Sequence, residues 1–372
     1  MKKVVIVGAG IVGAATAYEL ARNGINVTLT DRHAEGRATS AAAGIICPWI
    51  SQRRNQAWYE LARKGAAYLE TLITHLRNDG MQNTGYKKVG AIRLHSDQQR
   101  LEKLKNIAIE RRKDAPQIGD VSLLNQEETK DKFLFLADHY YSLFVAGAAR
   151  VDGRALRQSL IEAAKKYGAT YLVGEAELEY KDREVTGVIV GNETISADIT
   201  IATNGVWMPE LLSPLGVRLN ILRQKGEIIH LHTETVDTSS LPVVMPPSNQ
   251  YLLCFDNGKI VVGATRENTT SFHKEITAGG IHYVLDQALK VAPGLYETTI
   301  AETRVGFRPF TANHLLIFGS VPNVQRLLLA NGLGSSGLTT GPFIGSQLAK
   351  MVMEMELDVH LENYEVAQSL RK

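Results

Sequence analysis

Val4-Val5-Ile6-Val7-Gly8-Ala9-Gly10-Ile11-Val12-Gly13 opens the chain with an apolar run, three glycines and the start of a small-residue helix. Four aliphatic residues in a row read as a fully buried strand, Ile11 to Asn23 as a helix, and Asn26 to Thr30 as a second strand. Residues 4–30 are therefore a βαβ unit, and the turn within it satisfies the G-x-G-x-x-G dinucleotide pattern in the setting that gives that pattern meaning. Gly8 permits the tight turn, Gly10 lets the backbone approach a pyrophosphate, and Gly13 lets the helix pack close on the strand. The helix amino terminus then offers unpaired N–H groups and a partial positive charge to phosphates. Asp31 follows 18 residues after Gly13. At the end of the second strand, its carboxylate can accept hydrogen bonds from both hydroxyls of an adenosine ribose and would repel a 2′-phosphate. The competing reading is a glycine-rich turn with a chance acid behind it. Up to this point the dinucleotide is either FAD or NAD.

Working outward, 372 residues with 44% hydrophobic and 22% charged side chains describe an ordinary globular protein of two domains or one large composite. Forty-one basic against 39 acidic residues leave a formal charge of +2, too little to neutralise a run of phosphates, so nucleic acid is not an expected partner. Arg53-Arg54 and Arg111-Arg112-Lys113 read as solvated clusters. Cys47 and Cys254 form no C-x-x-C pair and suggest neither zinc nor a disulfide framework. A reducing compartment fits, and the expected location is cytoplasmic with peripheral membrane contact left open, because no apolar stretch approaches the ~20 residues that span a bilayer.

Further along, helices are expected over residues 55–76, 97–113, 154–167, 277–291 and 338–354. Strands are expected over 86–94, 140–145, 170–173, 185–190, 198–202, 227–231, 251–255, 260–262, 315–318 and 327–330. The chain begins in α/β alternation, passes through an inserted layer, returns to α/β, turns mostly β after Pro214, and ends on a strand and helix. This predicts an α/β (α+β composite) fold with two interleaved domains.

Thr39-Ser40-Ala41-Ala42-Ala43-Gly44-Ile45-Ile46 resembles the flavin-proximal segment of the D-amino-acid oxidase, glycine oxidase and sarcosine oxidase family. The resemblance continues in order through Ala148-Ala149-Arg150-Val151-Asp152-Gly153, Ala202-Thr203-Asn204-Gly205-Val206-Trp207, Lys225-Gly226-Glu227 and Val262-Gly263-Ala264-Thr265. It closes with Val305-Gly306-Phe307-Arg308-Pro309 and Asn331-Gly332-Leu333-Gly334-Ser335-Ser336-Gly337-Leu338, and so covers essentially the whole chain. It implies FAD, held by a Rossmann-like domain from residues 1–83, 146–218 and 312–372, with a β-rich substrate domain from 84–145 and 219–311. The implied cofactor contacts are Gly8, Gly10, Ile11, Val12, Gly13, Asp31, Arg32, Thr39, Ser40, Ala42, Ala43, Gly44, Ile45, Ala176, Thr203, Asn204, Gly205, Trp207, Gly332, Gly334, Ser335, Ser336, Gly337 and Leu338. The cysteine and histidine that tether flavin in some relatives have no counterpart, so the FAD is expected to be non-covalent.

Gly332 to Gly337 also matches G-x-G-x-x-G after a strand, but the polar tail that follows supplies no further strand for a second nucleotide unit. By resemblance this helix amino terminus instead faces the flavin pyrimidine edge, where its partial charge favours the anionic reduced form. Arg308, in its Gly-Phe-Arg-Pro setting, matches the family's carboxylate-binding arginine, whose planar fork holds a carboxylate by two hydrogen bonds. Arg266, Tyr251 and His314 are weaker pocket candidates. Where relatives carry an aromatic or basic residue near the final turn, Ser335 and Ser336 stand here. Lys225 is a conceivable oxygen-activating cation or a plain surface lysine. His230 and His232 share a strand face but lack a third metal ligand at useful spacing, and no metal is expected. G-x-S-x-G and H-E-x-x-H are absent.

The resemblance implies oxidation of a small amine or amino acid, such as glycine, a D-amino acid or an N-methyl amino acid. Hydride passes from the α carbon to flavin N5, the resulting imine hydrolyses to a keto acid, and oxygen or a quinone accepts the electrons. The alternatives are a hydroxy-acid dehydrogenase, which would need a base for the hydroxyl proton, and a flavin-binding subunit of a redox complex. Oligomerisation is left open.

Overall fold

A computed structural model describes residues 2–370. Its first sheet has six strands in the order Ile317–Ser320, Leu327–Asn331, Ile199–Ala202, Lys3–Val7, Asn26–Asp31, Thr170–Val173. All neighbours run parallel except the first pair. Lys3–Val7 lies at the centre, between Ile199–Ala202 and Asn26–Asp31, with Val4, Val5 and Ile6 at most 1% exposed, as an unbroken aliphatic run requires. Behind the glycine turn, helix Ile11–Arg22 packs against helix Gly337–Val352. Small residues allow that approach: a Cβ on Gly345 would sit 2.8 Å from the Ala15 methyl. The alanine-rich helix is a packing surface, with Ala14, Ala15 and Ala17 fully buried.

The second sheet has nine strands. Leu222–His232 pairs along its whole length with Thr299–Phe310 on one side, and with Lys259–Gly263 and Glu267–Thr269 on the other. Tyr251–Cys254, Val243–Met245, Ala91–His95, Tyr141–Val145 and Val121–Leu124 complete it. Helix Ala278–Val291 and the buried Phe133, Phe135 and Leu136 belong to the apolar cluster on one of its faces. A small antiparallel sheet, Ala176–Lys181, Glu184–Val190 and Glu193–Ser196, fills the connection between Thr170–Val173 and Ile199–Ala202.

The single strand expected over 86–94 is divided in two. Gly90, at φ +74° and against the Phe144 ring, bends the chain. Lys87–Lys88 therefore joins Ile45–Ile46 and Ala149–Arg150 in a separate sheet, while Ala91–His95 enters the large one. After helix Gly337–Val352 come only short 3-10 turns, so the second glycine motif has no following strand among the described residues. No helix among the described residues is long and apolar enough to cross a membrane.

Candidate active site

A cavity of about 980 Å³ runs from the first glycine turn to the large sheet, at the upper end of the ~300–1,000 Å³ usual for small-molecule sites. At its first end Gly8 has φ +97°, and a Cβ there would lie 2.6 Å from the Asn204 Cα. A Cβ on Gly13 would fall 2.0 Å from the Gly8 carbonyl oxygen, so Gly13 seats the helix from below and does not line the cavity. Thr203 Oγ1 donates to that same oxygen at 2.7 Å.

Asp31 organises this end. Its Oδ2 accepts from the Ala9 N–H at 2.8 Å, and its Oδ1 accepts from the His33 N–H at 2.7 Å and from Arg37 Nη1 at 3.1 Å. The carboxylate is thus already oriented by the turn it follows, while still lining the cavity. Helix Ile11–Arg22 has no side-chain cap and no acid in its first turn, and Gly10, Ile11 and Val12 face the cavity. Its positive end is left for an anion. Arg32 lies over the Trp207 ring, 5.4 Å from its centroid. Asn204 Oδ1 is buried without a hydrogen-bond partner. An open helix start, a poised carboxylate and an orphaned acceptor on the same wall suit a dinucleotide.

Along the middle run Thr39, Ala42, Ala43, Gly44, Ile45 and Ala176, then Gly334, Ser335, Ser336, Gly337 and Leu338. Three residues expected here face elsewhere. Ser40 opens toward a neighbouring polar pocket with Arg154 and Arg304, to both of which its carbonyl accepts. Gly332 is a backbone hinge at φ +78°, where a Cβ would meet Thr311 at 2.6 Å. His314 sits on an exposed turn, its ring against Phe310 with centroids 5.1 Å apart, outside the cavity lining.

The far end is built on the large sheet. Arg308 lies opposite Gln224 in the pairing of the two long strands, and its Nη1 donates to Gln224 Oε1 at 3.1 Å and to the Thr265 carbonyl at 3.5 Å. Gly226 clears the guanidinium's path, since a Cβ there would lie 2.7 Å from Nη2. Gly263 likewise clears Tyr251, whose hydroxyl would be 2.9 Å from an added Cβ. Burial raises the Tyr251 phenol above its ordinary pKa despite the neighbouring Arg308 and Arg266, so it stays protonated. Burial lowers the Arg308 pKa, with Tyr251 opposing that effect; an arginine remains charged even so. Arg266 donates to the Asn249 carbonyl at 3.3 Å.

Two lining residues here escaped the sequence reading. Arg53, exposed as a solvated cluster would be, also lines the cavity: it lies over the Trp58 ring, 4.5 Å from the centroid, and donates to Ser335 Oγ at 3.4 Å. Trp58 Nε1 donates to Ser336 Oγ at 3.0 Å. The two serines of the final turn thus hold an arginine and an aromatic ring from another part of the chain.

Lys225 is neither a surface residue nor part of the lining. Strand alternation turns it away from Gly226 into a buried pair with Glu227 at 2.9 Å, and its Nζ donates to the Glu275 carbonyl at 2.7 Å. His230 is buried with neither ring nitrogen bonded, and burial pushes its pKa down to about 3. No metal-binding cluster occurs among the described residues.

The family model described as "FAD dependent oxidoreductase" (DAO) matches residues 3–351. "Uncharacterized oxidoreductase YurR" of Bacillus subtilis is 53% identical, with all of both chains covered. The solved iminodiacetate oxidase of Chelativorans sp. BNC1 is 43% identical at a TM-score of 0.94, over 97% of this chain and 98% of that one. Glycine oxidase of Pseudomonas aeruginosa is 27% identical, over 95% of this chain and 96% of its own.

Proposed function

Since the chain belongs to the DAO family of FAD-dependent oxidoreductases, we propose that it oxidises a small amino acid or related amine at the carbon beside nitrogen. The observation that carries this reading is Arg308, a buried-end arginine with no ion-pair partner among the described residues, facing a cavity whose opposite end suits the cofactor. Its hydrogen-bond partners, the Gln224 amide oxygen, the Thr265 carbonyl and the Tyr251 hydroxyl, are all neutral, so its charge is left for a ligand carboxylate.

Bound FAD supplies the hydride acceptor, flavin N5, for the hydrogen leaving the substrate carbon. The chain's task is placement. Arg308 fixes the carboxylate and Tyr251, a protonated donor beside it, limits its rotation. The walls of residues 42–45 and 334–338 hold the cofactor against that face. At the first end Asp31 takes the ribose, and the helix start at Gly10 and Ile11 takes the pyrophosphate, without a covalent tether. In this division residues 1–83, 146–218 and 312–372 carry the cofactor, and 84–145 and 219–311 carry the substrate wall. With its ammonium proton first given up to water, the neutral substrate nitrogen forms the imine from its own lone pair, and water then releases a keto acid with ammonia or a primary amine.

From the neutral amine that chemistry needs no protein base. Among the described residues, the far-end lining offers no histidine, lysine or carboxylate, and the Cys47 thiol is pushed up to about 12 by burial. This favours the amine over a hydroxy acid, whose hydroxyl proton needs an acceptor. The test is a product assay. FAD-loaded protein incubated in air with glycine, sarcosine, iminodiacetate, proline and both enantiomers of common amino acids should release keto acid and amine, with peroxide if oxygen is the acceptor and only with added quinone otherwise. Turnover of hydroxy acids alone would overturn the reading.

A further inference from the structure

Five arginines line the cavity, and they fall into two groups. At the first end Arg32 pairs with Glu175 and Glu210, and Arg37 pairs with Asp31. At the far end Arg53, Arg266 and Arg308 share the lining, and no acid pairs with any of them among the described residues. The acidic lining residues, Asp31, Glu175, Glu177 and Glu210, accompany the first group in chain position and contacts.

Arg266 is close enough to oppose each of the other two. Arg266 depresses the pKa of both Arg53 and Arg308, in each case after the larger effect of burial. Arg53 and Arg266 are steadied by neutral acceptors through long contacts: Ser335 Oγ at 3.4 Å for Arg53 and the Asn249 carbonyl at 3.3 Å for Arg266. Bonds of that length are weak. A carboxylate would exchange them for charge-assisted bonds of ~2.7–2.9 Å. One carboxylate on Arg308 leaves the Arg53–Arg266 pair uncompensated in a cavity walled by Trp58, Met245 and Tyr251.

We infer that the substrate is an amino or imino acid with two carboxylates, the first on Arg308 and the second between Arg53 and Arg266. The inference rests on the proposed role of Arg308. Arg53 and Arg266 then set substrate choice: they favour the doubly charged acid over its singly charged analogue and keep the second carboxylate away from the reacting carbon. Trp58 carries Arg53 on its ring face, and Ser335 and Ser336 anchor both, so the final glycine turn couples the cofactor wall to this second anion site.

Non-reacting acids test this directly on the FAD-loaded protein. Malonate, succinate and glutarate are titrated against acetate and butyrate, with Kd read from the flavin spectrum and by calorimetry. The best dicarboxylate should bind at least ~10-fold tighter than the best monocarboxylate, with the advantage shrinking as salt rises. Arg53→Met and Arg266→Met should each cut that ratio by about 10-fold or more, down to near one, as loss of a hydrogen bond to a charged group would, and the Lys variants should restore part of it. Both side chains are exposed enough that the variants should keep their flavin spectrum. Equal binding of the two classes, or variants that weaken both classes alike, overturns the inference. If acetate binding depends on Arg308 but no dicarboxylate is tighter, only the second site is lost. If acetate binding ignores Arg308→Met, the amino-acid reading falls and the inference with it.

Discussion

Replacing Arg308 by Met keeps much of the side chain's length while removing its charge and its donors. Because no acid pairs with Arg308 among the described residues, the variant frees no internal carboxylate. What it strands is the ligand carboxylate, at the end of the cavity bounded by Tyr251, Gly226 and Pro309. Truncating one side of a desolvated charged pair costs ~2–5 kcal/mol, so kcat/KM for a carboxylate substrate should fall about 30-fold to several thousand-fold. The neutral Gln224 loses its 3.1 Å donor but faces a cavity where water can replace it. The strand pairing around position 308 uses backbone groups only, so fold and FAD content should survive. Arg308→Lys should recover part of the loss, since an ammonium restores charge without the planar fork. The assay is anaerobic flavin reduction at subsaturating substrate. A Met variant that reduces as fast as the parent would refute the placement of the carboxylate.

Asp31→Ala should weaken FAD by ~10- to 150-fold, the effect of losing a hydrogen bond to a charged group, and the FAD should remain extractable by acid; unchanged retention in equilibrium dialysis would remove Asp31 from the site. Gly226→Ala places a methyl 2.7 Å from Arg308 Nη2 and so displaces the fork; a shift approaching 1 Å costs up to ~100-fold in kcat/KM with FAD affinity retained, and steady-state kinetics should show it. His230 titrates near 3 when folded because of burial, with Arg304 and Lys259 adding to the effect against Glu302 and Asp152. Its unfolded value is ~6.5. A depressed histidine binds its proton preferentially in the unfolded chain, so stability should fall as pH drops from ~6.5 toward 3, by up to ~1.4 kcal/mol per pH unit. Denaturant melts of His230→Leu should show a shallower slope than the parent over that window, and identical slopes would argue against the assignment.

The residues that betrayed the fold are those whose neighbours are local. Gly8 to Asp31 forms its turn, helix and strand within one βαβ unit, and periodicity suffices to read it. Thr299–Phe310, the strand that carries Arg308, was recognisable only as a motif. Glu302, Thr303 and Arg304 give it no apolar face, and its partner Leu222–His232 lies some 70 residues earlier in the chain. The same applies to Arg53. Gln52-Arg53-Arg54-Asn55 has the composition of a solvated loop, and only the contact with Ser335, 282 residues away, brings it over the cavity. Lys225 was misplaced because its burial depends on Glu227 and on the segment ending at Glu275, which no local pattern joins. His314, a weak candidate by resemblance alone, has a left-handed backbone at φ +57° and an exposed ring against Phe310.

The central claim, that FAD in this chain takes hydrogen from the carbon beside an amino nitrogen, is tested most directly by anaerobic stopped-flow. The FAD-loaded protein is mixed with iminodiacetate or glycine, unlabelled and deuterated at the α carbon, and flavin bleaching is followed. The account predicts bleaching by at least one of them, slowed several-fold by deuterium and accompanied by one equivalent of keto acid per flavin. A flavin that is reduced by neither these acids nor any other amine, while dithionite bleaches it normally, would contradict the account.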